Sequence, residues 1–291
     1  MSSTPIPDQT GRTAVVTGAS SGLGLEITRE LSARGARVVM AVRDVAKGER
    51  ARATLPAKTH IEVRQLDLLD LDSVRGFAED VTELDLLVNN AGISGQPLRY
   101  SPQGVESHFA TNHLGHYALT GLLLPTLQEA ETPRVVTVSS LVYRWGRLRL
   151  DQVTAPRWYR NDKAYYQSKL ANVLFGLELD RRLAAQGSRL RSVVAHPGVA
   201  RTPMHSSSPN APTRWATELW GKLAGRTAAE GALPILHAAT TPNPPTDHLV
   251  VPGNPDPRLE PVSPRGADRE LAARLWTRSA ELSGVEYLTG S

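Results

Sequence analysis

The chain has 291 residues, 40% of them apolar and 21% charged, with a formal net charge of +4 and no cysteine. These totals supply a packed core and exclude a disulfide framework, a thiolate metal site and the strongly basic face of a nucleic-acid binder. No apolar run approaches the ~20 residues of a membrane-spanning helix, and residues 1–11 are polar with two prolines rather than the apolar core of a secretory signal, so a soluble, cytoplasmic protein is expected.

In chain order, residues 1–11 are predicted to be a disordered lead-in. Residues 13–17 read as a short buried strand running straight into Gly18-Ala19-Ser20-Ser21-Gly22-Leu23-Gly24. Helical spacing follows through Leu25, Ile27, Leu31 and Ala33 to Gly35, and residues 37–42 form a second apolar strand. Strand, glycine turn, helix and strand in this order make a right-handed βαβ unit. Gly18 allows the tight turn, Gly22 lets a pyrophosphate approach the backbone, and Gly24 lets helix and strand pack closely. The helix N-terminus then offers unpaired N–H groups to phosphate. The turn is predicted to be a nucleotide site; the alternative is a purely structural turn. Arg43 and Asp44 follow the second strand, where such a site reads the adenosine ribose. An arginine pairs with a 2′-phosphate and selects NADP; a carboxylate binds the 2′-hydroxyl and selects NAD. Arg43 comes first, with Lys47 one turn on, which favours NADP(H) and leaves NAD(H) open. The other reading of Arg43 and Asp44 is that they cap the helix predicted at 45–54.

A third strand is expected at 61–66, with Asp67 and Leu68 at its ligand edge. Asp67 either accepts from an adenine amino group or N-caps the helix predicted at 71–81. A fourth strand at 84–88 leads into Asn89-Asn90-Ala91-Gly92, where small residues let the backbone lie against a cofactor and Asn89 braces the loops. Residues 104–130 are predicted to be mostly helical, with Asn112 bending the helix or holding a water. His113 and His116 are read as helix-face residues, because no carboxylate or cysteine is spaced to complete a metal site. A fifth strand at 134–138 ends in Ser139-Ser140, a hydroxyl position that either donates to a substrate oxygen or satisfies the strand end. The aromatic and arginine-rich stretch 141–162 is read as a pocket wall or a subunit contact. A helix then runs to about 186, placing Tyr165 and Lys169 four apart on one face. A cation one turn away favours the phenolate and is expected to lower the Tyr165 pKa toward the working range.

A sixth strand at 190–195 precedes the turn carrying Pro197, Gly198, Val199 and Thr202, and 199–226 is the expected substrate lid. Helices at 217–223 and 228–239, a short last strand at 248–251, an irregular proline-rich segment at 252–266 and a closing helix at 267–282 complete the chain. No repeat or linker divides it, so residues 1–291 are read as one domain.

Together the glycine turn, Asn89-Asn90-Ala91-Gly92, the set Asn112, Ser140, Tyr165 and Lys169, and His196-Pro197-Gly198 resemble the short-chain dehydrogenase/reductase family over residues 11–285. Val42-Arg43-Asp44, Lys47-Gly48-Glu49 and the run from Tyr165 to Asn172 are similar to its retinol-dehydrogenase-like branch. The resemblance implies an α/β Rossmann fold, a doubly wound parallel sheet of seven strands in the order 3-2-1-4-5-6-7 with helices on both faces. It implies NADP(H)-dependent hydride transfer with a lipophilic alcohol, aldehyde or ketone. Tyr165 would be the general acid and base, Ser140 (the second of its pair) the orienting hydroxyl, Lys169 the ribose ligand and Asn112 the holder of a water. Cofactor contacts would come from Gly18, Ser20, Ser21, Gly22, Leu23, Gly24, Arg43, Asp67, Leu68, Asn89, Ala91, Gly92, Tyr165, Lys169, Pro197, Gly198, Val199 and Thr202. The glycine turn lacks the basic residue many NADP-dependent members carry. Family members form dimers or tetramers through helices matching 104–130 and 165–186, and this branch includes monomers. The rivals are a cofactor-binding regulator without turnover and an isomerase or dehydratase that uses the cofactor transiently.

Overall fold

The computed structural model describes residues 6–56, 60–198, 226–245 and 247–289. Its first half alternates β1 (Thr13–Thr17), α1 (Gly22–Ser32), β2 (Arg37–Val42), α2 (Val45–Arg52), β3 (Ile61–Gln65), α3 (Leu71–Glu79) and β4 (Leu86–Asn89). Helix α4 joins Ser107–Phe109, a π-helical turn at Ala110–Leu114 and Gly115–Glu129. There follow β5 (Arg134–Val138), α5 (Asn161–Ala185), β6 (Arg191–Ala195), α6 (Ala228–Thr240), β7 (His248–Val251), β8 (Arg258–Pro261) and α7 (Arg269–Ser283).

The strands form one sheet in the order β3-β2-β1-β4-β5-β6-β7-β8, parallel from β3 through β7. β1, β4 and β5 are buried along their whole length, which is why they read as unbroken apolar runs rather than alternating ones. Their side chains still alternate between two layers. Val15, Val39, Leu87 and Val135 face Phe77, Leu123, Phe175 and Leu179 on the side of α3, α4 and α5. Val16, Val38, Val88 and Val136 face Ile27, Leu31, Ile235 and Leu236 on the side of α1 and α6. Burial of each such side chain stabilises the fold by roughly 1.5–3 kcal/mol.

Two expectations need correction. The segment 252–266 is not wholly irregular, because β8 adds an eighth strand, antiparallel to β7, and extends the expected seven-stranded order at its edge. Pro255 and Pro257 precede this strand and Pro261 ends it, so no missing N–H interrupts its middle. Residues 6–11 of the lead-in are not free either. Gln9 is 3% exposed, its N–H donates to the Arg34 carbonyl at 2.8 Å, and Arg34 Nε donates to the Ile6 carbonyl at 3.1 Å. A methyl group at Gly35 would fall 2.3 Å from Thr10 Oγ1, so residues 6–11 are seated against the end of α1. Val199, Thr202 and the expected lid up to residue 225, with its helix at 217–223, lie outside the described residues. Among the described residues no helix is long and apolar enough to cross a membrane, and no group of three or more His, Cys, Asp or Glu is placed to hold a metal.

Candidate active site

A cleft of about 740 Å³ opens over the C-terminal ends of β1 to β5, where strand order reverses between β1 and β4. The glycine turn forms its floor. Gly18 has φ +68°, and a Cβ there would meet Ala91 Cα at 2.9 Å. A Cβ at Gly24 would lie 2.5 Å from the Gly18 carbonyl oxygen and 2.7 Å from Asn90 Nδ2. Side chains at these positions would separate the turn from the β4 loop. Ser21 N-caps α1 without a side-chain hydrogen bond to the helix, so its hydroxyl faces the cleft uncommitted, beside Ser20, Gly22 and Leu23.

The brace between the loops is Asn90, not Asn89. Asn90 Nδ2 donates to the Thr17 carbonyl at 2.8 Å, and the N–H groups of Asn90 and Ala91 both donate to Thr17 Oγ1 at 2.9 Å. Asn89 is the last residue of β4 and points the other way, donating to Thr120 Oγ1 at 3.0 Å under α4 with no exposed surface. It does not reach the cleft, whereas Ala91 and Gly92 do.

At the ribose end Asp44 N-caps α2, accepting from Lys47 N–H at 2.9 Å. Arg43 is exposed, lines the cleft and has no ion-pair partner among the described residues; the Lys47 side chain stands beside it in the same state. Asp67 and Leu68 line the adjacent wall. Asp67 accepts from Leu69 N–H at 3.0 Å, while the cap of α3 is Asp70, so the N-cap alternative for Asp67 falls away. Pro197 and Gly198 border the opposite end, their turn closed by Gly198 N–H donating to His196 Nδ1 at 3.0 Å.

At that end β5, α5 and the π turn of α4 converge. Ser139 is turned away, its hydroxyl donating to the Lys169 carbonyl at 2.8 Å. Ser140 lines the cleft beside Tyr165, near enough for its hydroxyl to favour the charged form of the phenol. Lys169 Nζ donates to the Val138 carbonyl at 3.3 Å and lies 5.8 Å from the centroid of the Tyr165 ring. Asn112 Oδ1 accepts from Ile93 N–H at 2.7 Å, and its Nδ2 donates to the Ile93 carbonyl and to Ser168 Oγ. Asn112 therefore pins the β4 loop to α5. Ile93, Leu141, Val142 and Trp145 add an apolar wall beside Tyr165, so part of the 141–162 stretch is pocket wall.

Residues 12–212 match the family model described as short chain dehydrogenase. The chain belongs to the short-chain dehydrogenase family. It is 39% identical to retinol dehydrogenase 12 of Bos taurus, over 95% of this chain and 88% of that protein, and falls in the retinol-dehydrogenase-like branch. A crystal structure of an uncharacterized protein from Mycobacterium paratuberculosis is 43% identical and superposes with a TM-score of 0.82 over 99% of both chains. A Pseudomonas aeruginosa RhlG/NADP active-site complex is 26% identical, with a TM-score of 0.63 over 81% of this chain and 92% of that one. Family membership makes the chain an oxidoreductase acting on CH–OH groups of small molecules.

The residues of this dehydrogenase fit a nicotinamide dinucleotide. The glycine floor leaves no Cβ to hold a ligand off the backbone, two cations without an ion-pair partner among the described residues stand at one end, and a buried ammonium at the other. Burial lowers the Lys169 pKa to about 8. For Tyr165 the expectation from sequence is reversed. Burial pushes the phenol up to about 12, against the Ser140 hydroxyl and with Tyr166 adding to it. The ammonium sits over the ring face, and desolvation of the phenolate sets the direction of the shift. His113 and His116, read as helix-face residues, are wholly buried: His113 Nε2 is 2.8 Å from Ser279 Oγ in a nest of aromatic rings.

Sequence motifs alone leave Thr17, Asn90 and Ile93 outside the site. Strand parity at the end of β4 is the signal that separates Asn90 from Asn89.

Proposed function

We propose that the chain is an NADP(H)-dependent oxidoreductase that interconverts a lipophilic alcohol and its carbonyl, with Tyr165 as general acid and base. The observation that carries this is the convergence of Ser140, Tyr165 and Lys169 at one end of a glycine-floored cleft whose other end holds Arg43 and Lys47 without carboxylate partners. Gly18, Gly22, Gly24, Ser20 and Ser21 would hold the pyrophosphate, Arg43 and Lys47 the 2′-phosphate, and Lys169 the nicotinamide ribose. The bound dinucleotide supplies or accepts the hydride. Ser140 hydrogen-bonds the substrate oxygen and orients it. In reduction Tyr165 donates its proton to that oxygen; a phenol held high by burial is suited to donate rather than to rest as phenolate. In oxidation its phenolate takes the proton back, with Lys169 supplying the stabilising charge. The apolar wall of Ile93, Leu141, Val142 and Trp145, and the retinol dehydrogenase relatives, support a lipophilic substrate.

The test is a panel of aldehydes, ketones and alcohols, each run with NADPH or NADP⁺ and with NADH or NAD⁺, following nicotinamide absorbance. Turnover with the phosphorylated cofactor is expected, and Tyr165→Phe should lower kcat by about 10²–10⁴-fold. Near-normal turnover in Tyr165→Phe refutes the role of Tyr165. Tight cofactor binding with no turnover on the whole panel would point to a regulator.

A further inference from the structure

His116 lies between the glycine floor and the proton-transfer residues, and none of the steps above uses it. It follows the π-helical turn at Ala110–Leu114 and has no exposed surface. Both ring nitrogens are engaged: Nδ1 is 3.0 Å from the Asn112 carbonyl oxygen and Nε2 is 2.9 Å from Thr17 Oγ1. A carbonyl oxygen only accepts, so Nδ1 carries the proton. In a neutral ring Nε2 is then the acceptor, and the Thr17 hydroxyl donates to it. Burial favours the neutral ring, and the Lys169 charge acts in the same direction, so the imidazole is lowered to about 4.

The Thr17 hydroxyl has two acceptors in reach, His116 Nε2 at 2.9 Å and the Val88 carbonyl at 3.3 Å, and the shorter contact takes its proton. Thr17 Oγ1 then turns its lone pairs to the N–H groups of Asn90 and Ala91, which border the cleft. On the far side Asn112 uses its whole amide on Ile93 and on Ser168, the residue before Lys169. His116 joins the two halves, through Thr17 on one side and the Asn112 carbonyl on the other. A π turn is a rare arrangement that recurs at functional sites. Reversion to α-helical register would rotate Asn112 by about 100° and take its amide off Ile93. The bond from His116 Nδ1 to the Asn112 carbonyl holds the turn at the residue that must not rotate.

We propose that His116 is a positioning residue of the reaction: as the Nδ1–H tautomer it locks the π turn that aims Asn112, and through Thr17 it ties the cofactor floor to the Ser168–Lys169 segment of α5. The kinetic part rests on the dehydrogenase reading above; the structural part does not.

Two measurements test it. Long-range ¹H–¹⁵N spectra of the histidine side chains, with His116 assigned from the missing signals of a His116→Gln variant, should show a single Nδ1–H tautomer at neutral pH. An Nε2–H tautomer, or a mixture of the two, overturns the geometry whether or not the protein turns over any carbonyl. For the kinetics, His116→Leu should lower kcat about 10–100-fold, the size of effect a small misplacement produces. KM for the carbonyl and Kd for NADPH should stay within about threefold. His116→Gln, which offers both a donor and an acceptor, should recover most of that loss. A folded His116→Leu with wild-type kcat, or a folded His116→Gln as slow as His116→Leu, overturns the positioning role. Should His116→Leu not fold, His116→Phe, which keeps a ring and loses both hydrogen bonds, carries the same kinetic expectation. A wild type with no turnover on any carbonyl removes the dehydrogenase reading and the kinetic part with it, and the tautomer measurement still decides the geometry.

Discussion

Lys169 is an ammonium 2% exposed to solvent with no carboxylate partner among the described residues. Burial without a partner penalises the charged form and brings its pKa to about 8 from an ordinary 10.5. An unfolded chain keeps this proton up to about pH 10.5, so between about pH 8 and 10.5 it binds more protons than the folded one. The contribution of this group to stability therefore climbs as pH rises across that window, and below about pH 8 the penalty is constant. Lys169→Met should make the cofactor-free protein more stable at pH 7 by about 1–3 kcal/mol while abolishing turnover. Urea denaturation at several pH values checks this; a variant less stable than wild type at pH 7 would show that the ammonium is not strained. On the proposed mechanism this cost is offset by the need for a charge beside a ribose and a phenol.

The turn from β1 into α1 shows how an element sets a site. Gly24 sits in the first turn of α1, and a methyl group there would collide with the Gly18 carbonyl and with the amide of Asn90 that braces the β4 loop. Neither neighbour is the free end of a flexible side chain. Gly24→Ala should cost about 1–3 kcal/mol through overpacking and weaken NADPH binding about tenfold or more, because the floor opens. Gly76 in α3 is the control: a Cβ there meets nothing within 4 Å, so Gly76→Ala should be neutral or stabilising by up to about 1 kcal/mol. Chemical denaturation and a fluorescence titration with NADPH separate the two variants. Equal behaviour of both would mean that close approach at the turn is not what Gly24 provides.

Across the molecule, α7 and the residues after it cover the face made by α4 and α5. Trp276 lies 5.2 Å from Tyr117, 6.0 Å from Phe175 and 4.8 Å from Tyr287 between ring centroids. Arg182 stacks 4.7 Å over Trp276 and donates to the Leu288 carbonyl at 3.0 Å. These are the helices through which many short-chain dehydrogenases associate, and here their apolar surface is closed by the chain's own C-terminal helix. A monomer of 31.5 kDa is the expected species in light scattering, and a dimer mass at micromolar concentration would refute it. Trp276→Ala, which empties the centre of this cluster, should lose about 3–5 kcal/mol.

What the amino-acid order determined by itself was local and periodic. The βαβ start follows from an apolar run, a glycine turn and a helical spacing within a few tens of residues, and the strand order followed once the family motifs appeared in sequence. Those signals survive folding because buried parallel strands and close backbone approach each tolerate few residue types. The tertiary structure decided the rest. Whether Asn89 or Asn90 faces the cleft depends on strand parity, and whether Arg43 or Asp44 stays free depends on which one caps α2. Gln9 is ordered by the Arg34 carbonyl at the far end of α1, which no local window contains, and β8 by antiparallel pairing with β7 at the edge of the sheet. The sign of the Tyr165 shift depends on how much water the surrounding elements exclude, and sequence spacing shows an ammonium four residues away but not that desolvation.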